Sequence, residues 1–204
     1  LQALGAELVT TPLAEGMRGA MARTEVIAKQ TPGAVCLQAF TNRANSRIHA
    51  ETTAREIWDD TDGTVQLVVV PVGTGGTAAG CASFFRELGV AVFGVQPAGS
   101  PVLTGGKAGP HDIPGIGAGF IPDILVPGDL TGIVDVSDAE AARGVRELAA
   151  RESLLLGPAS GAVAHAATVL AADPRWSRST IVAVLPDSGE RYCDHAALRQ
   201  GGCR

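Results

Sequence analysis

A doubly wound α/β domain on a parallel sheet is the fold this sequence predicts. Short apolar, β-rich runs alternate with helical patterns along the chain. Glycine-rich turns sit where such runs end and helices begin. The run from Gln66 to Val72, QLVVVPV, is apolar without alternation, as in a strand covered on both faces.

Taken in order, the pattern predicts a strand over 7–10, a helix over 16–30 and a strand over 35–37. One helix over 45–58 follows, and the Asp62-Gly63 pair then turns the chain before the strand at 66–72. A helix over 77–88 carries Phe84, Phe85 and Leu88 on one side and stops at Gly89 before a strand over 90–96. Residues 97–127, rich in glycine and proline, form a loop too long for a simple connector. After a strand over 133–136, Ser137 and Glu140 have capping-box spacing and open a helix to about residue 152. The turn at 157–161 opens a helix to about 172, and a last strand runs over 180–185.

At 204 residues and 46% hydrophobic content, the chain can bury a substantial core. A net charge of −5, with Lys29 and Lys107 as its lysines, speaks against nucleic acid or an anionic membrane as partner. No stretch approaches the roughly 20 apolar residues of a membrane span, so a cytoplasmic location is expected. Cys36, Cys81, Cys193 and Cys203 form no CxxC pair and are read as reduced. Cys193, His195 and Cys203 lack the second close pair of a zinc site, so no metal is expected.

Five segments carry candidate chemistry. Gly73-Thr-Gly-Gly-Thr77 lies between a buried strand and a helix start, where N–H groups and a positive dipole end can converge on one anion. It reads either as a monophosphate cradle or as a glycine turn with a capping threonine. Pro114-Gly-Ile-Gly-Ala-Gly-Phe120 permits close approach to a flat ring or is a surface loop. Leu156-Gly-Pro-Ala-Ser-Gly161 offers Ser160 to a ligand or as a helix cap. In Pro186-Asp-Ser-Gly-Glu-Arg-Tyr192, acid and base are expected to pair as a structural turn. Leu37-Gln-Ala-Phe-Thr-Asn42, with Asn45 beyond, offers amides to a carboxylate or to the next helix.

In order and spacing these segments resemble the cysteine synthase family, to which cystathionine beta-synthases also belong. The resemblance extends to Leu4-Gly-Ala-Glu-Leu-Val9, His49-Ala-Glu-Thr-Thr53, Glu56-Ile-Trp58 and Gly105-Gly-Lys-Ala-Gly-Pro-His111. It implies the tryptophan synthase beta-like fold, with residues 41–204 as the large cofactor-binding domain and 1–40 as a remnant of a smaller α/β domain. It implies pyridoxal 5'-phosphate as cofactor, a homodimer, and β-replacement on O-acetylserine or O-phosphoserine to give cysteine or a related amino acid.

Carried over residue by residue, the resemblance places Gly73, Thr74, Gly75, Gly76 and Thr77 on the cofactor phosphate and Ala159 and Ser160 near its ring nitrogen. Gln38, Gly117 and Ala118 become substrate-binding candidates, with Gly115 and Gly119 beside them at the mouth of the site. Three departures stand out. Neither Lys29 nor Lys107 matches the Schiff-base lysine, so no catalytic residue is assigned, and the chain reads as the C-terminal two-thirds of such an enzyme, with roughly 100 to 120 residues expected ahead of it. Ala159 stands where the family presents the first serine of a Ser-Ser-Gly turn, and Ala39 where a second glutamine is common. These departures leave open a diaminopropionate- or cystathionine-forming synthase, or a non-catalytic metabolite- or protein-binding module.

Overall fold

The computed structural model describes residues 1–198. Its contacts divide the chain into two units, Leu1–Gln38 and Ala39–Arg204. The first unit holds short 3-10 helices at Gln2–Leu4 and Leu13–Glu15 and one long helix, α1 (Gly16–Gln30). Neither 7–10 nor 35–37 enters a β-ladder, contrary to the sequence expectation. An extended segment becomes a strand only when a neighbour takes its N–H and C=O groups, and none of the paired strands lies in this unit. No residue of α1 is buried.

The second unit opens with α2 (Arg43–Glu51) and α3 (Thr53–Asp60), where the sequence predicts one helix. Asn42 caps α2 by accepting the Ala44 N–H at 3.0 Å. The break falls at Thr52, whose hydroxyl donates back to the Ile48 carbonyl at 2.7 Å while its backbone leaves helical geometry (φ −120°, ψ −77°). Then follow β1 (Val65–Pro71), α4 (Gly76–Phe85), β2 (Ala91–Pro97), β3 (Gly132–Val136), α5 (Asp138–Glu152), α6 (Pro158–Ala171) and β4 (Thr180–Ala183). These agree with the sequence reading to within a few residues at their ends.

The four strands pair in parallel in the order β3-β2-β1-β4. The chain therefore moves outward from β1 to β3 and returns through α5 and α6 to pair β4 on the other side of β1. Strand order reverses between β1 and β4, and the carboxyl ends of these two strands flank the crevice where open sheets bind ligands.

Side chains alternate across β1. Val68 and Val70 face Ala78, Cys81, Ala82 and Phe85 of α4, while Leu67 and Val69 face Ala159, Ala162, Val163 and Ala166 of α6. Both faces are covered, which accounts for the unbroken apolar run. Burial also pushes the Cys81 thiol up to about 12.

The long loop between β2 and β3 is tied down rather than loose. Gln96, 1% exposed, donates to Asp135 Oδ1 at 2.8 Å and to Thr104 Oγ1 at 3.1 Å, and its Oε1 accepts the Leu103 N–H at 2.9 Å. Ile113, Ile116 and Leu125 from the same loop are buried.

The Ser137–Glu140 capping box forms as the spacing predicts: Ser137 N–H donates to Glu140 Oε2 at 2.9 Å, and Glu140 N–H to Ser137 Oγ at 3.3 Å. These bonds, with that of the Ser137 hydroxyl, hold the Glu140 carboxyl below its ordinary range.

Helices α5 and α6 approach closely through glycines. A Cβ on Gly144 would lie 2.1 Å from the Gly161 carbonyl oxygen, and one on Gly161 would lie 2.3 Å from that of Ala141. Backbone cannot yield as a side chain can. Gly144→Ala is therefore expected to cost about 1–3 kcal/mol of overpacking, read as a lower urea midpoint; an unchanged midpoint would show that the helices can separate freely.

Candidate active site

β1 ends at Pro71, and five residues later its chain is already the first turn of α4. Gly75 makes this turn possible by adopting φ +85°. Gly73 and Gly76 are required by crowding: an added Cβ would lie 2.4 Å from the Gly115 carbonyl oxygen or 2.1 Å from the Asn45 side chain.

The turn is braced from α2. Asn45 Nδ2 donates to the Ala39 carbonyl at 2.8 Å and to Thr74 Oγ1 at 3.0 Å. His49 Nε2 is hydrogen-bonded to Thr77 Oγ1 at 3.3 Å, and its Nδ1 to Thr53 Oγ1 at 2.9 Å. Desolvation lowers the His49 pKa, which favours a neutral ring in contact with Thr77.

Among the described residues, the N–H groups of Thr74, Gly75 and Thr77 have no protein acceptor. They belong to the first turn of a ten-residue helix and the loop entering it, where unpaired donors and the positive dipole end favour an anion.

These donors open into a cavity of about 550 Å³. Gly73–Thr77 line it together with Gly115 and Ile116 of the long loop, Ala159 of α6, and Asp187, Ser188, Arg191 and Tyr192 beyond β4. The cavity thus lies at the crevice between the carboxyl ends of β1 and β4.

Asp187 does not pair with Arg191 as the sequence suggests. Among the described residues no ion pair forms within 186–192. Its carboxylate turns to α6, accepting the Ala159 N–H at 3.1 Å and the Ser160 N–H at 2.8 Å. The start of a helix has free donors and a favourable dipole, so it outcompetes a solvated guanidinium. Burial and the Asp187 charge together raise the Tyr192 pKa.

Of the residues singled out in the sequence, the cradle residues and Ala159 line this cavity, and Gly115 joins them. Ser160 is fully buried and hydrogen-bonded to Asp187, away from the cavity lining. Gly117 and Ala118 line a separate small recess with Val72 and Gln96. There Gly117 N–H donates to the Val72 carbonyl at 3.0 Å, and its carbonyl bonds His111 Nε2 at 3.1 Å, pinning the loop to the end of β1. Gln38 lies in the first unit, exposed, at φ +51°.

The sequence reading missed Ser188, Arg191 and Tyr192 as cavity residues and His49 as a brace. The position of 186–192 at a strand's carboxyl end was the signal for the first three. Among the described residues no cluster of three or more His, Cys, Asp and Glu side chains forms a metal site, and His195 bonds Asp112 at 3.1 Å. Cys203 lies outside the described residues.

Residues 1–187 match the family described as pyridoxal-phosphate dependent enzyme. The chain is 41% identical over 207 aligned positions to cysteine synthase A of Salmonella typhi, covering 96% of this chain and 64% of that one. It superposes on the crystal structure of cysteine synthase (OASS) from Entamoeba histolytica with a TM-score of 0.90 and 38% identity, covering 98% of this chain and 61% of that one. The O-acetylserine dependent cystathionine beta-synthase from Helicobacter pylori gives 0.91 and 34%, over 97% and 65%. The chain thus spans slightly less than two thirds of these relatives. Among the described residues, no helix is long and apolar enough to cross a membrane.

The neutral state of His49 has a measurable consequence. Its folded pKa lies below the unfolded value near 6.5, so the unfolded chain takes up the proton first. Stability contributed by neutral His49 is present above pH 6.5 and is lost as pH falls through the folded pKa. The urea midpoint of wild type should therefore drop further on acidification from about pH 8 to about pH 5 than that of His49→Gln. Equal drops would remove His49 from the account.

Proposed function

The chain belongs to the family of pyridoxal-phosphate dependent enzymes, and from that premise we propose that it binds pyridoxal 5'-phosphate, with Gly73–Thr77 on the phosphate, for β-replacement on an activated serine. The substrate is O-acetylserine or O-phosphoserine and the product cysteine or a related amino acid. The observation that carries this reading is the set of free N–H groups of Thr74, Gly75 and Thr77 facing the switch-point cavity.

The residues present suit the cofactor. A phosphate accepts several N–H bonds at a helix start; Cβ atoms at Gly73 or Gly76 would force neighbouring groups to move. The Thr74 and Thr77 hydroxyls line the same wall, held by Asn45 and His49. When bound, the cofactor supplies an electron sink for charge developing on the amino acid's α carbon. This chain's residues anchor the phosphate and orient the ring. Among the described residues no lysine lines the cavity, so no proton transfer is assigned to this chain. A second reading is a non-catalytic binding module on the same scaffold.

Ala159, Gln38, Gly117 and Ala118 remain proposed for cofactor or substrate contact, a homodimer for the assembly and the cytoplasm for the location. Ala39, in place of a glutamine, points to a substrate carboxylate held differently from that of the relatives.

Titration of the chain with pyridoxal 5'-phosphate and with pyridoxal is expected to show at least about tenfold tighter binding of the phosphorylated form, a difference of about 1.4 kcal/mol. Gly76→Ala should abolish the preference, and inorganic phosphate should compete. Equal affinity for the two forms would refute the cradle. In the native protein isolated from its source, O-acetylserine with sulfide should yield cysteine in a cofactor-dependent manner; cofactor binding without cysteine would select the binding-module reading.

A further inference from the structure

We infer that the Asp187 carboxylate is the partner of the cofactor's ring nitrogen in this chain, holding that nitrogen protonated where a hydroxyl would leave it neutral. This rests on the cofactor reading above.

The turn that opens α6 has no side-chain hydroxyl to offer. Ala159 presents a methyl group to the cavity. Ser160, next to it, is 0% exposed, and its hydroxyl donates to Asp187 Oδ1 at 2.5 Å while its oxygen accepts the Asp187 N–H at 3.2 Å. Freeing that hydroxyl would break both bonds in a dry environment.

Asp187, in contrast, lines the same cavity as Gly73–Thr77. Its two carboxylate oxygens accept three hydrogen bonds, from the N–H groups of Ala159 and Ser160 and from the Ser160 hydroxyl. An ionised carboxylate has about four acceptor sites, which leaves capacity for one further donor. A Cβ at Gly157 would lie 2.3 Å from Asp187 Oδ2, so the absence of a side chain there is what admits this carboxylate. Its orientation is set by backbone on both sides before any ligand arrives.

The positive end of the fourteen-residue α6 meets this carboxylate through the Ala159 and Ser160 N–H groups. Arg191 and Tyr192 line the same cavity, and among the described residues Arg191 makes no ion pair with Asp187. A carboxylate is one of the residue types that pairs with a pyridinium nitrogen in cofactors of this kind. The Asp187 carboxylate would accept a hydrogen bond from the ring nitrogen of a bound cofactor, whose proton would come from solvent. No other bond changes. A protonated ring withdraws electrons more strongly, which offsets the loss of the serine at Ala159.

The test is the ¹⁵N NMR spectrum of the chain saturated with pyridoxal 5'-phosphate labelled at the ring nitrogen, at a pH where the free ring is neutral. The wild type is expected to show the pyridinium resonance. In the cofactor-saturated protein Asp187→Ser, which can still cap α6 but carries no charge, should return it to the neutral position. Asp187→Asn serves as the second uncharged variant should the serine perturb the helix, checked by circular dichroism. A neutral resonance in bound wild type, or a pyridinium resonance that survives both substitutions, overturns the inference and leaves the phosphate cradle standing. No saturable binding to wild type overturns the cofactor reading and this inference with it.

Discussion

The burial of β1 on both faces is the constraint on which the rest of the second unit depends. Val68, Val69 and Val70 are fully buried, with α4 on one side and α6 on the other, and parallel neighbours take up both edges of the strand. A strand enclosed in this way has its ends as its outlets. Its carboxyl end therefore becomes the place where polar backbone meets solvent, and the turn at Gly73–Thr77 is that place. The reversal of strand order sets β4 alongside, so a second polar segment, 186–188, arrives at the same crevice.

Both sides of the crevice are held by bonds from helices outside the turns themselves. Asn45 and His49 of α2 fix the two threonine hydroxyls of the cradle. On the opposite side Asp187 and the start of α6 hold each other, with Gly157 N–H also donating to the Asp187 carbonyl at 3.0 Å. The donors of the Gly73–Thr77 turn share with Asp187 and Arg191 a cavity of about 550 Å³, within the size range of small-molecule sites. Preorganisation of this kind reduces the ordering that a ligand would otherwise impose.

The close approach of α5 to α6 at Gly144 and Gly161 belongs to the same system, because α6 carries the donors that orient Asp187. A helix pair held by backbone contact leaves little freedom to tilt. The position of the Ala159-Ser160 turn is thus tied to packing remote from the cavity.

Much of this was legible in the chain itself. Unbroken apolar runs marked the strands of a parallel sheet, glycine turns after those runs marked the carboxyl-end loops, and the Ser137–Glu140 spacing marked a helix start, because each depends on neighbours close in sequence. The break between α2 and α3 was less legible, since it turns on the backbone of one residue, Thr52, leaving helical geometry while its N–H and hydroxyl both stay on the Ile48 carbonyl. The absence of strands at 7–10 and 35–37 and the partner of Asp187 could not be read at all. Local propensity can extend a segment, but only tertiary placement supplies a ladder partner. Likewise an acid four residues from an arginine suggests a pair, whereas the donors it reaches lie 27 and 28 positions away in the chain. The sequence by itself determined the fold class and the glycine turn at Gly73–Thr77, which arise from local backbone chemistry. Tertiary structure alone decided which side chains face the cavity, because that depends on the order in which strands assemble.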